Sequence, residues 1–200
     1  AKWLVVGTIP LASKASSEAV WYVVKKALNA NIRIGIDLNW RPTFWGDHLE
    51  TDSGPDHSAL KVIESLLAVG SLLKLAKEEA FWFFQTDDPK IISSSLANNP
   101  DVLVTDGSKP IKWFLSGFSG ETKAIETGSV IDTTGAGDAF TAGLFYKLIA
   151  TESSKIDYKQ AQEIIRFATA CGALVCSGMG AIDPQPTLKE VVELTRVKSS

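Results

Sequence analysis

Short apolar segments alternate with amphipathic helical segments near the start of the chain. Residues 3–7, 32–38 and 71–75 are apolar runs that are typical of buried β-strands. Residues 16–29 and 58–69 carry apolar side chains at the three- and four-residue spacing that predicts helices. Strands that alternate with helices in this way are typical of a parallel sheet, whose binding crevice lies at the carboxyl ends of its strands.

The alternation continues to the end of the chain. We expect three more strands, over residues 101–105, 111–115 and 121–127, and helices over residues 80–84, 139–150, 158–176 and 188–197. The pattern predicts the α/β class, with a doubly wound, mostly parallel sheet flanked by helices. A length of 200 residues with 45% hydrophobic content fits a single domain over residues 1–200.

Charge and apolar run length exclude two classes of partner. The net charge of -3 and the pI near 5.5 provide no basic face for a phosphate backbone, so we expect no nucleic-acid partner. The longest apolar runs, such as residues 19–24, fall far short of the roughly 20 residues that a membrane span requires. We therefore expect no membrane partner either.

The cysteines and the methionine bear on location and completeness. Cys171 and Cys176 are five residues apart on a predicted helix and face different sides, which suits neither a disulfide nor a metal site. They are typical of buried small residues in a reducing compartment, so we expect a cytoplasmic protein, with the stroma of an organelle as the alternative. The single methionine is Met179 and the sequence opens directly on a strand, so we expect a fragment or a processed product.

A glycine-rich turn precedes the predicted helix over residues 139–150. Gly135 and Gly137 lack the Cβ that would keep an anion from the backbone, and a helix N-terminus presents unpaired N–H groups to anions. Asp138 follows at once, and a carboxylate there can accept a proton from a hydroxyl placed beside a bound phosphate. This layout is typical of a phosphoryl-transfer site. The alternative is an ordinary helix start with an acidic residue in its first turn.

The string Asp-Thr-Thr-Gly-Ala-Gly-Asp-Ala-Phe, residues 132–140, resembles the C-terminal signature of the ribokinase-like, or PfkB-type, carbohydrate kinases. The resemblance implies that Asp138 is the catalytic base and that Gly135, Ala136 and Gly137 form an anion hole. It also implies a site for a monovalent cation such as K+ at Asp132 and Thr134, with ATP and Mg2+ as cofactors.

The resemblance extends along the whole chain, which corresponds to the C-terminal two-thirds of such kinases. It implies a ribokinase-like fold that is truncated at the N-terminus and lacks the strand lid. We therefore expect the 200-residue chain alone to bind nucleotide weakly and to phosphorylate little. For the complete protein the resemblance implies a homodimer.

Three polar residues lie close together at the end of the second predicted strand. Asp37, Asn39 and Arg41 place an acid, an amide and a guanidinium at its carboxyl end, where arginine can hold a phosphate through two hydrogen bonds. The alternative is a turn formed by Asn39 ahead of a proline. Residues 37–45 resemble the Asp-Pro-Asn-x-Arg-x-x-Leu-Trp segment of fructokinase-like members, with Leu38 and Phe44 as replacements. This favours fructose as the substrate, with ribose, a keto-deoxy sugar acid and a nucleoside still open.

Two further strand ends resemble nucleotide-binding segments of the family. Glu79 matches the acid of an Asn-x-x-Glu motif that orders the water around magnesium, although Ala76 replaces the asparagine. Thr105 and Gly107 match a Thr-x-Gly-x-x-Gly segment that lies along the ribose and phosphates of ATP, although Pro110 replaces the second glycine. The alternatives are an exposed acid at a helix start and a tight turn.

The adenine pocket is implied by the resemblance alone. Thr169 stands where relatives supply an asparagine to adenine, and Gly180 lies in the Gly-Ala turn that lines the pocket.

Sugar phosphorylation is weighed against two other functions. The replacements at Ala76, Pro110 and Thr169 favour a noncatalytic kinase-like protein with a structural or regulatory role, whereas the intact Asp138 argues against it. A dinucleotide-binding domain is disfavoured because the glycine-rich turn comes late and lacks the Gly-x-Gly-x-x-Gly spacing.

Overall fold

The structure is a computed structural model that describes residues 1–46, 50, 53–151 and 156–197. The chain divides into two compact units. The first contains residues 1–106 and 112–119, and the second contains residues 107–111 and 120–200. The expectation of a single domain over the whole chain stays a prediction.

Six strands form one sheet in the order β1-β2-β3-β4-β5-β6. The strands are β1 (Trp3–Gly7), β2 (Arg33–Asp37), β3 (Leu72–Ala76), β4 (Asp101–Thr105), β5 (Ile111–Leu115) and β6 (Phe118–Thr122). The pairings β1–β2, β2–β3 and β3–β4 are parallel, and β5 is antiparallel to β4. The predicted α/β class with a mostly parallel sheet is confirmed.

In the described residues, the α-helices of the first unit are α1 (Lys14–Asn29), α2 (His57–Leu67), α3 (Lys77–Phe84) and α4 (Pro89–Ser95). Their apolar faces and the strands share one buried core, which includes Val24, Ile34, Ile36, Ile63 and Leu73. Because β2 and β3 are buried by this core, their carboxyl ends are fixed positions from which the next residues leave the sheet.

The α-helices in the described part of the second unit are α5 (Ala136–Ala150), α6 (Tyr158–Val175) and α7 (Leu188–Val197). Helices α5 and α6 pack closely. There is no room for a side chain at residue 143, since a Cβ added at Gly143 would lie 2.6 Å from the sulfur of Cys171. A Cβ added at Gly172 would lie 2.9 Å from the carbonyl oxygen of Ala136. This contact fixes the first residue of α5 against α6.

Several predicted boundaries are wrong; the helix predicted over residues 80–84, for example, begins at Lys77. The strand predicted over residues 121–127 instead covers Phe118–Thr122. The cause is a two-residue turn, in which Ser116 (φ 52°) and Gly117 (φ 87°) both adopt left-handed conformations and return the chain directly after β5. The helix predicted from residue 139 begins at Ala136, so Gly137 and Asp138 lie inside its first turn.

No helix in the described part of the chain is both long and apolar enough to cross a bilayer.

Truncation of one core side chain tests this packing. Ile63→Ala should lower the free energy of unfolding of the first unit by about 2–5 kcal/mol, because Ile63 is 0% exposed in α2. The adjacent Val62 is 36% exposed, and Val62→Ala should cost less than about 1 kcal/mol. Tryptophan fluorescence during urea denaturation reports this unit specifically, because all six tryptophans lie in it. Equal losses for the two variants would contradict the assigned core.

Candidate active site

The turn before α5 requires glycine at its last position. Gly135 precedes the first residue of the helix and has a left-handed backbone, with φ of 81°. A Cβ added there would lie 2.8 Å from the Cβ of Ala181 and 2.9 Å from its Cα. Both the backbone conformation and the close approach of Ala181 therefore exclude a side chain at residue 135.

The carboxylate of Asp132 holds this turn. Its Oδ1 accepts hydrogen bonds from the backbone N–H of Thr134 (2.9 Å) and the Thr134 hydroxyl (2.7 Å), and its Oδ2 accepts one from the N–H of Gly180 (2.9 Å). The Thr134 hydroxyl and these N–H groups hold the pKa of Asp132 below its ordinary value. The charged side chain thus ties the start of the turn to the Gly180 turn. The predicted monovalent-cation site at Asp132 and Thr134 stays a prediction.

The first turn of α5 is open to solvent at the predicted catalytic residue. Asp138 is exposed and is the third residue of the helix. The N–H of Ala136 donates to the carbonyl of Thr133 at 3.2 Å, so one of the three predicted anion-binding groups already has a partner within the turn. The N–H groups of Gly137 and Asp138 lie too early in the helix for an intrahelical acceptor. These two donors and the carboxylate are therefore presented together.

The two residues predicted to contact adenine also lie in the second unit. Thr169 is buried in α6, where its hydroxyl donates to the carbonyl of Ile165 at 2.8 Å. Gly180 has φ of 80°, and a Cβ there would meet no atom within 4 Å. Contact of either residue with adenine stays a prediction.

In the first unit, Asp37 is fixed by an ion pair. Asp37 ends β2 and is paired in register with Lys74 of the neighbouring strand β3. The Nζ of Lys74 lies 3.0 and 2.9 Å from the two carboxylate oxygens of Asp37. Sequence analysis missed Lys74. The signal that could have identified Lys74 is its charge, which is opposite to that of Asp37 and lies near the end of the next predicted parallel strand.

The residues after Asp37 form a tightly held loop. Asn39 has a left-handed backbone, with φ of 45°, and it lies between the buried side chains of Leu38 and Trp40. Arg41 is exposed, and its Nη1 donates to the carbonyl of Trp40 at 2.8 Å. The predicted group Asp37, Asn39 and Arg41 is therefore together at the end of β2, with the guanidinium open to solvent.

Glu79 is buried near the start of α3 rather than exposed. The side chain is 5% exposed, and its Oε1 and Oε2 accept hydrogen bonds from the N–H groups of Trp40 (2.6 Å) and Ala76 (2.7 Å). Burial raises the pKa of Glu79 above its ordinary value, although the two N–H donors act in the opposite direction. The carboxylate thus joins the end of β3 to the loop after β2.

The donor set fits a cation that is held mainly by phosphate and water. Within residues 1–46, 50, 53–151 and 156–197, no group of three or more His, Cys, Asp or Glu side chains could hold a metal ion. Magnesium commonly binds proteins through one or two carboxylates while its other ligands are phosphate oxygens and water. Glu79 fits the water-mediated role, because each of its oxygens keeps acceptor capacity beyond one N–H.

The end of β4 carries the remaining predicted contacts. The Thr105 hydroxyl donates to the carbonyl of Leu75 at 3.4 Å, and Gly107 is exposed with φ of 53°. Asp106, between them, forms an ion pair with Lys77 at 3.0 Å. Sequence analysis missed Lys77, because a lysine at a helix start carries no motif of its own.

Comparison with known proteins identifies the family. A family model described as pfkB family carbohydrate kinase matches residues 1–188. The chain therefore belongs to the pfkB family of carbohydrate kinases, which confirms the resemblance of residues 132–140 to its signature.

Among similar proteins, a fructokinase of Vibrio alginolyticus is 32% identical over 197 residues, which cover 95% of this chain and 59% of that protein. A protein of Arabidopsis thaliana named probable fructokinase-6, chloroplastic, is 30% identical over 194 residues, which cover 94% of this chain and 47% of that protein. The chain thus spans about half the length of these curated relatives.

Solved structures share the fold. The crystal structure of a fructokinase with bound ATP from Xylella fastidiosa has a TM-score of 0.81 at 23% identity, covering 100% of this chain and 63% of the other. An aminoimidazole riboside kinase from Salmonella enterica, complexed with aminoimidazole riboside and an ATP analogue, has a TM-score of 0.77 at 22% identity, covering 96% and 62%. The predicted ribokinase-like fold is confirmed.

A pair of glycine substitutions tests the turn before α5. Gly180→Ala should cost about 1 kcal/mol, because it adds only the strain of a left-handed alanine. Gly135→Ala should cost about 1–3 kcal/mol more, because the new Cβ also collides with Ala181. Hydrogen exchange of the α5 and α6 amides measures both losses. A Gly135→Ala variant no less protected than Gly180→Ala would refute the close approach.

The buried Glu79 predicts a pH dependence. Because burial raises its pKa in the folded state, its contribution to stability is fully present below the ordinary value of 4.5 and is lost as the pH rises through the folded-state value. The free energy of unfolding of the wild type, relative to that of Glu79→Gln, should therefore fall as the pH rises from 4.5 through the folded-state pKa of Glu79. Denaturation followed by tryptophan fluorescence at several pH values measures the difference, and an increase with pH would contradict the prediction.

Proposed function

We propose that the complete protein transfers the γ-phosphoryl group of ATP to a hydroxyl of a sugar. The observation that carries the proposal is Asp138, an exposed carboxylate in the first turn of α5, directly after a turn that only glycine can form. Membership of a carbohydrate kinase family and relatives named fructokinase support the same reaction.

Asp138 is the proposed general base. A carboxylate in this position can accept the proton of an attacking hydroxyl that is placed beside it. The carboxylate is exposed and therefore open to that hydroxyl.

The N–H groups of Gly137 and Asp138 are the proposed donors to the transferring group. They have no intrahelical acceptor, and their dipoles are fixed before the reaction begins. Gly135 leaves the approach to these donors free of a side chain, and Asp132 keeps the turn in place through its bonds to Thr134 and Gly180. The turn thus provides two fixed donors beside the base.

Residues at and after the ends of β2, β3 and β4 are proposed to bind the nucleotide and its cation. Bound Mg2+ would neutralise charge on the phosphates, and Glu79 would order one of its water ligands. Arg41 is the proposed phosphate contact, because its guanidinium is exposed and matches the geometry of phosphate oxygens. Thr105 and Gly107 are proposed to lie along the ribose and phosphates.

Fructose is the proposed substrate. The relatives named fructokinase and the Asp-Leu-Asn-Trp-Arg segment after β2 support it. Ribose, a keto-deoxy sugar acid and a nucleoside are the alternatives, which a comparison of sugars with the complete protein separates. Homodimer formation, a cytoplasmic or stromal location and the low activity of the 200-residue chain stay predictions.

Removal of the base tests the reaction. Asp138→Asn in the complete protein should lower kcat by roughly 100- to 10,000-fold, because the amide cannot accept the proton. Nucleotide affinity, measured by titration calorimetry, should be retained. The control is Glu163→Gln, which removes an exposed carboxylate on α6 and should leave kcat unchanged.

Two results would exclude the proposal. Unchanged turnover in Asp138→Asn would remove this residue from the chemistry. A wild-type protein that binds nucleotide and phosphorylates none of the sugars would favour the noncatalytic role.

A further inference from the structure

Glu79 connects two loops that leave neighbouring strands. One carboxylate oxygen accepts from Ala76, the last residue of β3, and the other accepts from Trp40, three residues after the end of β2. Both bonds are short, at 2.7 and 2.6 Å, and the side chain is 95% shielded from water. The Glu79 carboxylate therefore bridges the end of β3 and the loop after β2.

The loop that Glu79 reaches has a strained centre. Asn39 adopts a left-handed conformation, which costs a residue with a side chain about 1 kcal/mol and persists only where its neighbours hold it. On one side, the N–H of Leu38 donates to the carbonyl of Lys74, and the Thr8 hydroxyl donates to the carbonyl of Leu38. On the other side, the N–H of Trp40 donates to Glu79.

The ring of Trp40 is fixed independently. Its Nε1 donates to the carbonyl of Ser53 at 2.8 Å, and the ring packs against Trp45 with centroids 5.5 Å apart. With the ring held by these contacts and the N–H held by Glu79, the direction in which the chain continues into Arg41 is determined. Arg41 adds a hydrogen bond to the Trp40 carbonyl and leaves its guanidinium exposed.

We propose that Glu79 is a positioning residue that acts through the backbone of Trp40 to hold Asn39 left-handed and to set the direction of the Arg41 guanidinium. The role uses the carboxylate as a double acceptor. It rests on the proposed function only for the statement that Arg41 contacts phosphate. It differs from the water-mediated magnesium contact, because it needs no cation.

Two substitutions separate these roles. In Glu79→Gln the amide has one oxygen and an NH2 group, so one of the two backbone donors loses its acceptor. In Glu79→Asp the charge remains, but the side chain is shorter by one C–C bond, about 1.5 Å, and cannot reach both donors. Glu78→Gln is the matched control, because Glu78 lies beside Glu79 in the same helical turn and is exposed.

The first test needs no activity. In the complete protein, the Trp40 amide proton should resonate downfield because it donates to a carboxylate at 2.6 Å. In Glu79→Gln the acceptor is at best a neutral amide oxygen, and in Glu79→Asp the carboxylate is too short to reach both donors, so this proton should move upfield in both variants. Its hydrogen exchange should accelerate at least about tenfold in the variant that leaves Trp40 without an acceptor, as expected for the loss of one buried hydrogen bond. Glu78→Gln should leave it unchanged. An unmoved Trp40 amide in both Glu79 variants would overturn the proposal, and the Trp40 indole resonance checks that the loop is folded.

The second test is a double-mutant cycle in the complete protein. Glu79→Gln should lower kcat/KM by roughly 10- to 100-fold, because a small displacement of a binding group is costly. In the Arg41→Met background the same substitution should cost less than about threefold, since the group that Glu79 positions is already absent. An equal loss in both backgrounds, or full recovery of Glu79→Gln at high Mg2+, would overturn the positioning role. A wild type without sugar kinase activity would instead overturn the proposed function and leave the amide test standing.

Discussion

The site depends on the hydrogen bonds that Asp132 makes to the turn before α5. Its carboxylate accepts from Thr134 and from Gly180, and so joins two loops that are 48 residues apart in the chain. This arrangement requires a left-handed backbone at Gly135 and brings Ala181 so close that residue 135 has no room for a side chain. Asp132 thus holds the turn that leads into α5, where the N–H groups of Gly137 and Asp138 lie too early in the helix for an intrahelical acceptor.

The first unit uses buried and partly buried charge in a similar way. Lys74 pairs with Asp37 across two parallel strands, and Glu79 accepts from the N–H of Ala76 at the end of β3 and from the N–H of Trp40 in the loop after β2. Each charge is costly to bury alone, and each is satisfied by partners that also fix backbone positions. The loop that carries Asn39 and Arg41 is consequently held by ionic and backbone contacts at both sides. In each unit a carboxylate holds a loop through hydrogen bonds to backbone N–H groups.

The sequence predicted the strands and the candidate chemistry because both are local. β1, β4 and β5 matched their predicted bounds, since apolar runs and turn residues are read directly from neighbouring positions. The glycine turn and Asp138 were found because their spacing is short. Lys74, Ala181 and the burial of Glu79 were missed, because each depends on a partner that is distant in the chain, such as Trp40 for Glu79. The bound of β6 was missed because the Ser116-Gly117 turn was not recognised as a hairpin turn.

The most direct measurement of the central claim is a titration of the isotopically labelled complete protein with a nonhydrolysable ATP analogue and Mg2+, followed by amide NMR. The account predicts that the Gly137 and Asp138 amide protons shift downfield and saturate with the affinity of the nucleotide, because they donate to its terminal phosphate. Saturable binding that leaves both amides unmoved would contradict it.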